Sequence, residues 1–416
     1  MKLLLKSVQI TDTQSDFHNK EVDISIEDGI IKKIGPSLEE KADKEIQIKN
    51  LHVSRGWFDS SVSFGEPGYE ERETLQNGLD TAAKSGFTTI CLNPDTLPVT
   101  DTRSAVGALI SAARGHAVKL KPTGALTVKS EGVDLAEIFD MQNAGAASFG
   151  DYKHAVKNPN LLKIALQYAQ NFKGLVQSFP QENKIAGNGQ VNEHYYSTSL
   201  GLKGIPNLAE ELQITRDLYI LEYTGGKLHI PTISTEKSVS LIKEAKKKGL
   251  NVTCSVAIHN LIFTDERLQE FDTNAKVLPP LRTGKDIKAL RKGLKEGVID
   301  MVTSDHRPID IEHKKVEFEN ASYGTIGLES AFGALATIFS TEETIKFLTS
   351  GKARFGIEDY PLREGEKANI SLFIPGEKFR FSQENIFSSS QNSIFLGHKL
   401  KGKAFGIVAD ENFITQ

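Results

Sequence analysis

The chain has 416 residues, 39% of them hydrophobic and 25% charged, with a formal net charge of −4. This length and balance fit a soluble protein of two or three domains, or one large barrel with an appendage, able to bury a sizeable core. No basic run dominates and no apolar run approaches the roughly 18 residues of a membrane span, so neither a nucleic-acid partner nor a membrane is expected.

The N-terminus, "MKLLLKSVQITDTQSD", has too short an apolar run for a signal peptide and continues as a strand pattern. Further short strands follow in "EVDISIEDGIIKKIG", where Asp28-Gly29 marks a hairpin, and in "KEIQIKNLHVSRG". The middle then alternates. "TLQNGLDTAAKSG" reads as a helix closing at Gly86, and "FTTICLNP" reads as the next strand. The same order recurs in "DLAEIFDMQNAG" before "AASFGDY", and in "PNLLKIALQYAQNFKG" before "LVQSF". "STEKSVSLIKEAKKKG" precedes "LNVTCSVAI", and "TGKDIKALRKGLKEGV" precedes "IDMVTSDHRP". The lysines of "KEAKKKG" read as a solvated helix face. From about residue 366 the strand style returns in "ANISLFIPG" and "SIFLGHKLKGKAFGIVAD".

Strands after helices, repeated without a nucleotide-type glycine loop, predict an α/β fold built on a (β/α)8 TIM-like barrel. Residues 55–365 are assigned to the barrel, and residues 1–54 plus 366–416 to a small β-sandwich domain made by both termini. Cys91 and Cys254 lie far apart in apolar strand runs, which fits buried thiols in a reducing, cytoplasmic compartment. In such a barrel the site lies where strands end, here at 61–65, 93–96, 151, 178–179, 232–235, 255–260 and 305–309.

Four stretches carry a resemblance. They are "RGWFDSSVSFGEPGYEERETLQNGLDTAAKSGFTTICLNPDTLPVTD", "GLKGIPNLAEELQITRDLYILEYTGGKLHIPTIST", "KVLPPLRTGKDIKALRKGLKEGVIDMVTSDHRP" and "YGTIGLESAFG". Over about residues 1–405 the sequence resembles the dihydroorotase family, within the metal-dependent amidohydrolase superfamily. The resemblance implies hydrolysis or closure of a cyclic amide in pyrimidine synthesis, on zinc held by histidines and aspartates. It also implies that the family's His-x-His pair falls on Ser61 and Ser63, and its substrate-binding arginine on Gly65. The family asparagine of the next strand end falls on Asp95. The bridging aspartate is kept as Asp151. Two further histidine ligands fall on Ser178 and Thr232, while the adjacent non-ligand histidine is kept as His229. The asparagine before the double proline falls on Leu278. "SDHRPI" keeps the metal-binding, proton-handling aspartate as Asp305, and the final substrate histidine becomes Ile309.

On this reading all four histidine ligands are gone and two carboxylates remain. Hydroxyls are poor ligands for zinc, so no zinc cofactor is expected, although two carboxylates could hold a hard divalent ion weakly. The sequence is therefore read as a pseudo-dihydroorotase with a structural or regulatory role. Family members of that kind partner aspartate carbamoyltransferase, and a homodimer is also implied. Two alternatives stay open. One is an active cyclic amidohydrolase with a rearranged metal site using Asp151, Asp305 and either His259 or His306. The other is a small-ligand sensor using the old pocket.

Blander readings apply to each residue. Asp305 is a vestigial base or a strand-end carboxylate bonded to backbone or to His306. His229, His259 and His306 are core histidines. Ser61, Ser63, Ser178 and Thr232 line a water-filled remnant cavity. Residues 310–327 are a charged segment over the barrel mouth, expected to be mobile or to meet a partner.

Overall fold

A computed structural model of the chain describes residues 2–416. Asp28 and Gly29 adopt left-handed φ values of 50° and 71°, as a type I′ hairpin requires, and through them Glu21–Glu27 pairs antiparallel with Ile30–Gly35. The glycine is needed twice over, because a Cβ there would lie 2.9 Å from the backbone of Asp410. These strands join Lys2–Ile10, Lys44–Gln47, His52–Arg55, Asn369–Arg380, Lys399–Ala409 and Asn412–Thr415 in one mixed eight-stranded sheet. The two ends of the chain meet where His52–Arg55 pairs antiparallel with residues 370–373.

The hairpin of Asn369–Arg380 and Lys399–Ala409 has two apolar faces. Ile370, Leu372 and Val408 join Leu3, Leu5, Ile24 and Val53 in the core of the small domain. Phe373, Leu400, Ala404 and Ile407 join the core of the barrel, where the Trp57 ring stacks on Phe332 at 5.0 Å. Period-two alternation thus lets a single hairpin seal both domains.

The barrel is a second eight-stranded sheet. Its parallel strands are Trp57–Val62, Phe87–Leu92, Lys119–Gly124, Ser148–Phe149, Val176–Gln177, Leu228–Ile230, Val252–Ala257 and Met301–Thr303. It closes through a parallel bridge between Val62 and His306, with the Ser63 N–H donating to the His306 carbonyl at 2.8 Å. Helices follow the strands, and side-chain oxygens of Thr74, Thr102, Asn158, Thr235 and Thr283 cap their first turns. Helix Glu236–Lys247 buries Val239, Ile242 and Ala245. Of its lysines, Lys246 departs from a purely solvated role and donates to both Asp300 oxygens at 2.7 Å.

The α/β barrel is that expected from the alternation of elements, and the separate β-rich domain that expected from the two strand-rich ends. No helix among the described residues is long and apolar enough to cross a membrane. Between strand Val176–Gln177 and helix Asn207–Thr224 the chain makes an excursion through the two-stranded ribbon Val191–Asn192 and Gly204–Ile205. Tyr323, from the segment 310–327, donates to the carbonyls of Gly189 and Gln190 in this excursion.

Candidate functional site at the barrel mouth

The first barrel strand ends in a run of small polar side chains, of which Ser61 and Ser63 find partners inside the protein while the buried Ser60 hydroxyl has none. Asn93 Nδ2 donates to Ser61 Oγ at 3.2 Å and to Ser63 Oγ at 3.1 Å. Ser63 Oγ donates to Asp95 at 2.8 Å. Asp95 also lies 3.5 Å from Arg307 Nε, so it is a balanced charge rather than an isolated one. Beneath them Asp59 accepts from the N–H groups of Ser61 and Ser304, at 3.0 and 2.8 Å, and from the Thr303 hydroxyl. Burial pushes its carboxyl above the usual range. Asp59 thereby ties the first strand to the last.

The two retained carboxylates are also engaged. Asp151 accepts from the Thr127 N–H at 2.9 Å and the Thr127 hydroxyl at 2.6 Å, and burial raises its pKa. Asp305 accepts from Lys153 Nζ at 2.7 Å, and the two side chains are 1% and 7% exposed. Burial draws the Lys153 ammonium below its ordinary value, and the Asp305 charge opposes that pull. The partner expected for Asp305 was backbone or His306; the structure supplies Lys153 instead. His306 faces the other way. Its Nδ1 accepts from the N–H groups of Gly327 and Leu328 at 3.2 and 3.3 Å, which places the proton on Nε2, 2.9 Å from Glu73. It is a core histidine that holds the start of helix Leu328–Ile338.

The remaining candidates disperse. Ser178 Oγ donates to Asp217 at 2.6 Å, on helix Asn207–Thr224. His229 Nδ1 lies 3.0 Å from the Thr253 hydroxyl, and its ring packs edge-on against Phe355. His259 is buried with neither ring nitrogen bonded. Burial takes both imidazoles down to about 3, so both are neutral at physiological pH. Leu278 packs with Phe179, Ala209 and Tyr323. The Ile309 side chain is buried, and its N–H donates to Asn392 at 3.1 Å. At Gly65 an added Cβ would lie 1.8 Å from the Tyr69 carbonyl oxygen, so no side chain fits there.

What is left at the mouth is a cavity of about 10 Å³, with Ser61, Asn93, Asp151, Tyr152, Lys153 and Asp305 in its wall. That is room for about one water. Thr232 also lines it, but Ser63 and Ser178 do not, and neither do Gly65, Asp95, Leu278 or Ile309. The expected remnant cavity is therefore smaller than four hydroxyl-lined strand ends suggested, because Tyr152 and Lys153 fill it. Tyr152, Thr232 and Asp305 hold left-handed φ values of 53°, 47° and 49°. Non-glycine residues in that region cost of order 1–3 kcal/mol each and cluster at functional sites.

The segment 310–327 is pinned over the mouth rather than loose. Lys276 Nζ donates to the carbonyls of Phe318 and Glu319, both at 2.8 Å. Lys314 Nζ donates to the Ser322 carbonyl at 2.9 Å, and Arg307 Nη1 to that of Tyr323 at 3.1 Å.

Residues 52–238 match a family described as "Dihydro-orotase-like". A dihydroorotase from Caldicellulosiruptor saccharolyticus is 40% identical over 408 residues, covering 96% of this chain and 95% of that protein. The chain belongs to the dihydroorotase family. A dihydroorotase from Acetivibrio thermocellus is 36% identical, covering 100% of this chain and 99% of its own. Among solved structures, the L-hydantoinase (dihydropyrimidinase) of Arthrobacter aurescens matches with a TM-score of 0.83, at 20% identity, over 100% of this chain and 96% of that one. At that identity the likeness is one of fold.

For a member of the dihydroorotase family, this mouth does not fit a zinc pair. Zinc takes imidazole, thiolate and carboxylate donors. Here Ser61, Ser63, Ser178 and Thr232 stand at the positions where the resemblance implies imidazoles. Asp305, one of the two remaining carboxylates, is already neutralised by Lys153. Among the described residues no group of three or more His, Cys, Asp or Glu side chains is arranged to hold a metal ion. Reading the sequence alone passed over Asp59, Asn93, Tyr152, Lys153 and Arg307. One signal was available: in "FGDYKH" a lysine stands two residues after the retained aspartate. A carboxylate buried without a metal needs another cation.

Proposed function

We propose that this member of the dihydroorotase family no longer hydrolyses or closes a cyclic amide. It serves pyrimidine synthesis as a protein component, partnering aspartate carbamoyltransferase. The observation that carries the first part is the buried Lys153–Asp305 ion pair. It neutralises the carboxylate to which the resemblance assigns metal binding and proton handling, and both side chains line the small cavity at the mouth. Zinc in such a site would polarise an amide carbonyl and lower the pKa of a bound water, and hydroxyl side chains are poor donors for it. A ligand the size of a pyrimidine ring needs a pocket of some hundreds of cubic ångströms, against the 10 Å³ present. The partnering role draws support from the resemblance to family members that lack zinc ligands, and from the intact barrel, whose outer surface can carry an interface without a working site.

The test pairs metal content with turnover. Purified protein, with and without added zinc, is expected to hold no stoichiometric zinc and to convert dihydroorotate and carbamoyl aspartate at background rate. Zinc at one or more ions per chain together with turnover would overturn the proposal. Co-elution with aspartate carbamoyltransferase and a change in that enzyme's activity test the partnering role separately.

A further inference from the structure

Where the small domain meets the barrel there is a second cavity, of about 560 Å³, against the 10 Å³ at the mouth. One wall is the loop after strand Lys2–Ile10, together with Arg55 of strand His52–Arg55. The other is helix Thr341–Thr349 and the turn that follows it, through Lys352 to Asp359. Arg55 comes two residues before the first barrel strand, and Gly351 packs on Met301, where the last one starts. The cavity therefore sits at the N-terminal ends of the strands, on the face of the barrel opposite the mouth. Domain interfaces are favoured places for ligand pockets, and this volume is that of a small-molecule site.

The charges are ordered along the helix. At one end two buried cations share Asp359: Lys352 Nζ donates to its Oδ1 at 2.6 Å, and Arg55 Nη1 to its Oδ2. Arg55 Nε donates to Asp12 Oδ1 at 3.0 Å. These bonds leave donors over. Arg55 Nη2 has no partner among the described residues, and Lys352 keeps two N–H bonds beyond the one it gives Asp359. Asp12 is only 3% exposed, yet its Oδ2 accepts no hydrogen bond. Buried polar groups in that state call for a partner. At the other end Glu342 Oε1 accepts from Asn19 Nδ2 at 3.1 Å and lies 3.3 Å from His18 Nε2, while Oε2 has no partner among the described residues. Glu342 and Thr349 are separated by about 10 Å along the helix axis.

The two ends decide what fits. The wall carries four carboxylates and three lysine or arginine cations, so a bare anion meets as much repulsion as attraction, and so does a bare cation. A molecule with a carboxylate at one end and a cation at the other meets the right sign at each. An extended arginine has about 7 Å between its carboxylate and its guanidinium. Charge-assisted hydrogen bonds of about 2.8 Å at either end make up the remaining reach.

We propose that this cavity binds a free basic amino acid of arginine's length, with its carboxylate on Arg55 and Lys352 and its side-chain cation on Glu342. The mouth takes no part, so the outcome is independent of the proposed loss of activity. Isothermal titration calorimetry of the full chain with L-arginine is expected to show one saturable site with a Kd below about 1 mM. Citrulline replaces the guanidinium with a neutral urea of the same shape, and agmatine lacks the carboxylate. Each is expected to bind at least about tenfold more weakly. The Glu342 side chain is 54% exposed, so Glu342→Gln is expected to keep the far-UV circular dichroism and to bind arginine and citrulline alike. Arg55 and Lys352 cannot be replaced without unpairing Asp359, so their end is tested on the ligand, by agmatine. No saturable heat up to about 10 mM arginine, citrulline or agmatine binding as tightly as arginine, or a Glu342→Gln variant that still prefers arginine would each overturn the proposal.

Discussion

Lys153 and Asp305 make the tightest charge contact at the barrel mouth, 2.7 Å apart and almost wholly out of water. Removing one member of such a pair leaves an uncompensated buried charge and costs about 3–5 kcal/mol, whereas removing both costs far less. Lys153→Met is therefore expected to lower unfolding free energy by about 3 kcal/mol in urea titrations. The double variant with Asp305→Asn is expected to recover most of that loss in a double-mutant cycle. The contact was only half legible beforehand. That hydroxyl side chains stand at 61, 63, 178 and 232, where the resemblance implies imidazoles, is plain in the sequence. The direction of Lys153 is not, since it depends on Tyr152 adopting a left-handed φ of 53°, which turns the chain. Ser178 shows the same limit from the other side. Its bond to Asp217 joins a strand end to a helix 39 residues later, and no local pattern encodes that.

At the scale of elements, the cover over the mouth depends on two lysines. Lys276 and Lys314 donate to the carbonyls of Phe318, Glu319 and Ser322. A buried carbonyl left without a donor costs about 1–3 kcal/mol. Lys314→Met is expected to speed amide hydrogen exchange in residues 310–323 and to open that segment to trypsin, while the melting of the barrel changes little. The charged text of this segment suggested one that is mobile or meets a partner. Lys314 instead carries its ammonium inward to carbonyls, which a long stem allows as easily as a course outward to water. The helices were easier. Their repeated order ahead of the strands disclosed the barrel. The two-residue strands Ser148–Phe149 and Val176–Gln177 were legible only through that repetition, being too short to show a period.

The whole molecule carries an acid liability. His229 and His259 are buried with pKa values held at about 3, against about 6.5 in an unfolded chain. Between those limits the unfolded state binds more protons, so stability is full above pH 6.5 and falls as pH drops toward 3. Each histidine adds a slope of up to about 1.4 kcal/mol per pH unit. Urea titrations from pH 7 to pH 5 are expected to show this decline, and His259→Leu to reduce the slope by about one proton. The comparison isolates the imidazole from Asp59 and Asp151, whose raised values act in the opposite direction. Gly65 sets a different kind of limit. Imidazoles at positions 61, 63, 178 and 232 would be a matter of side chains. A side chain at 65, whose Cβ would lie 1.8 Å from the Tyr69 carbonyl oxygen, would require the main chain around Tyr69 to move. An arginine there is beyond the reach of a substitution at that position alone.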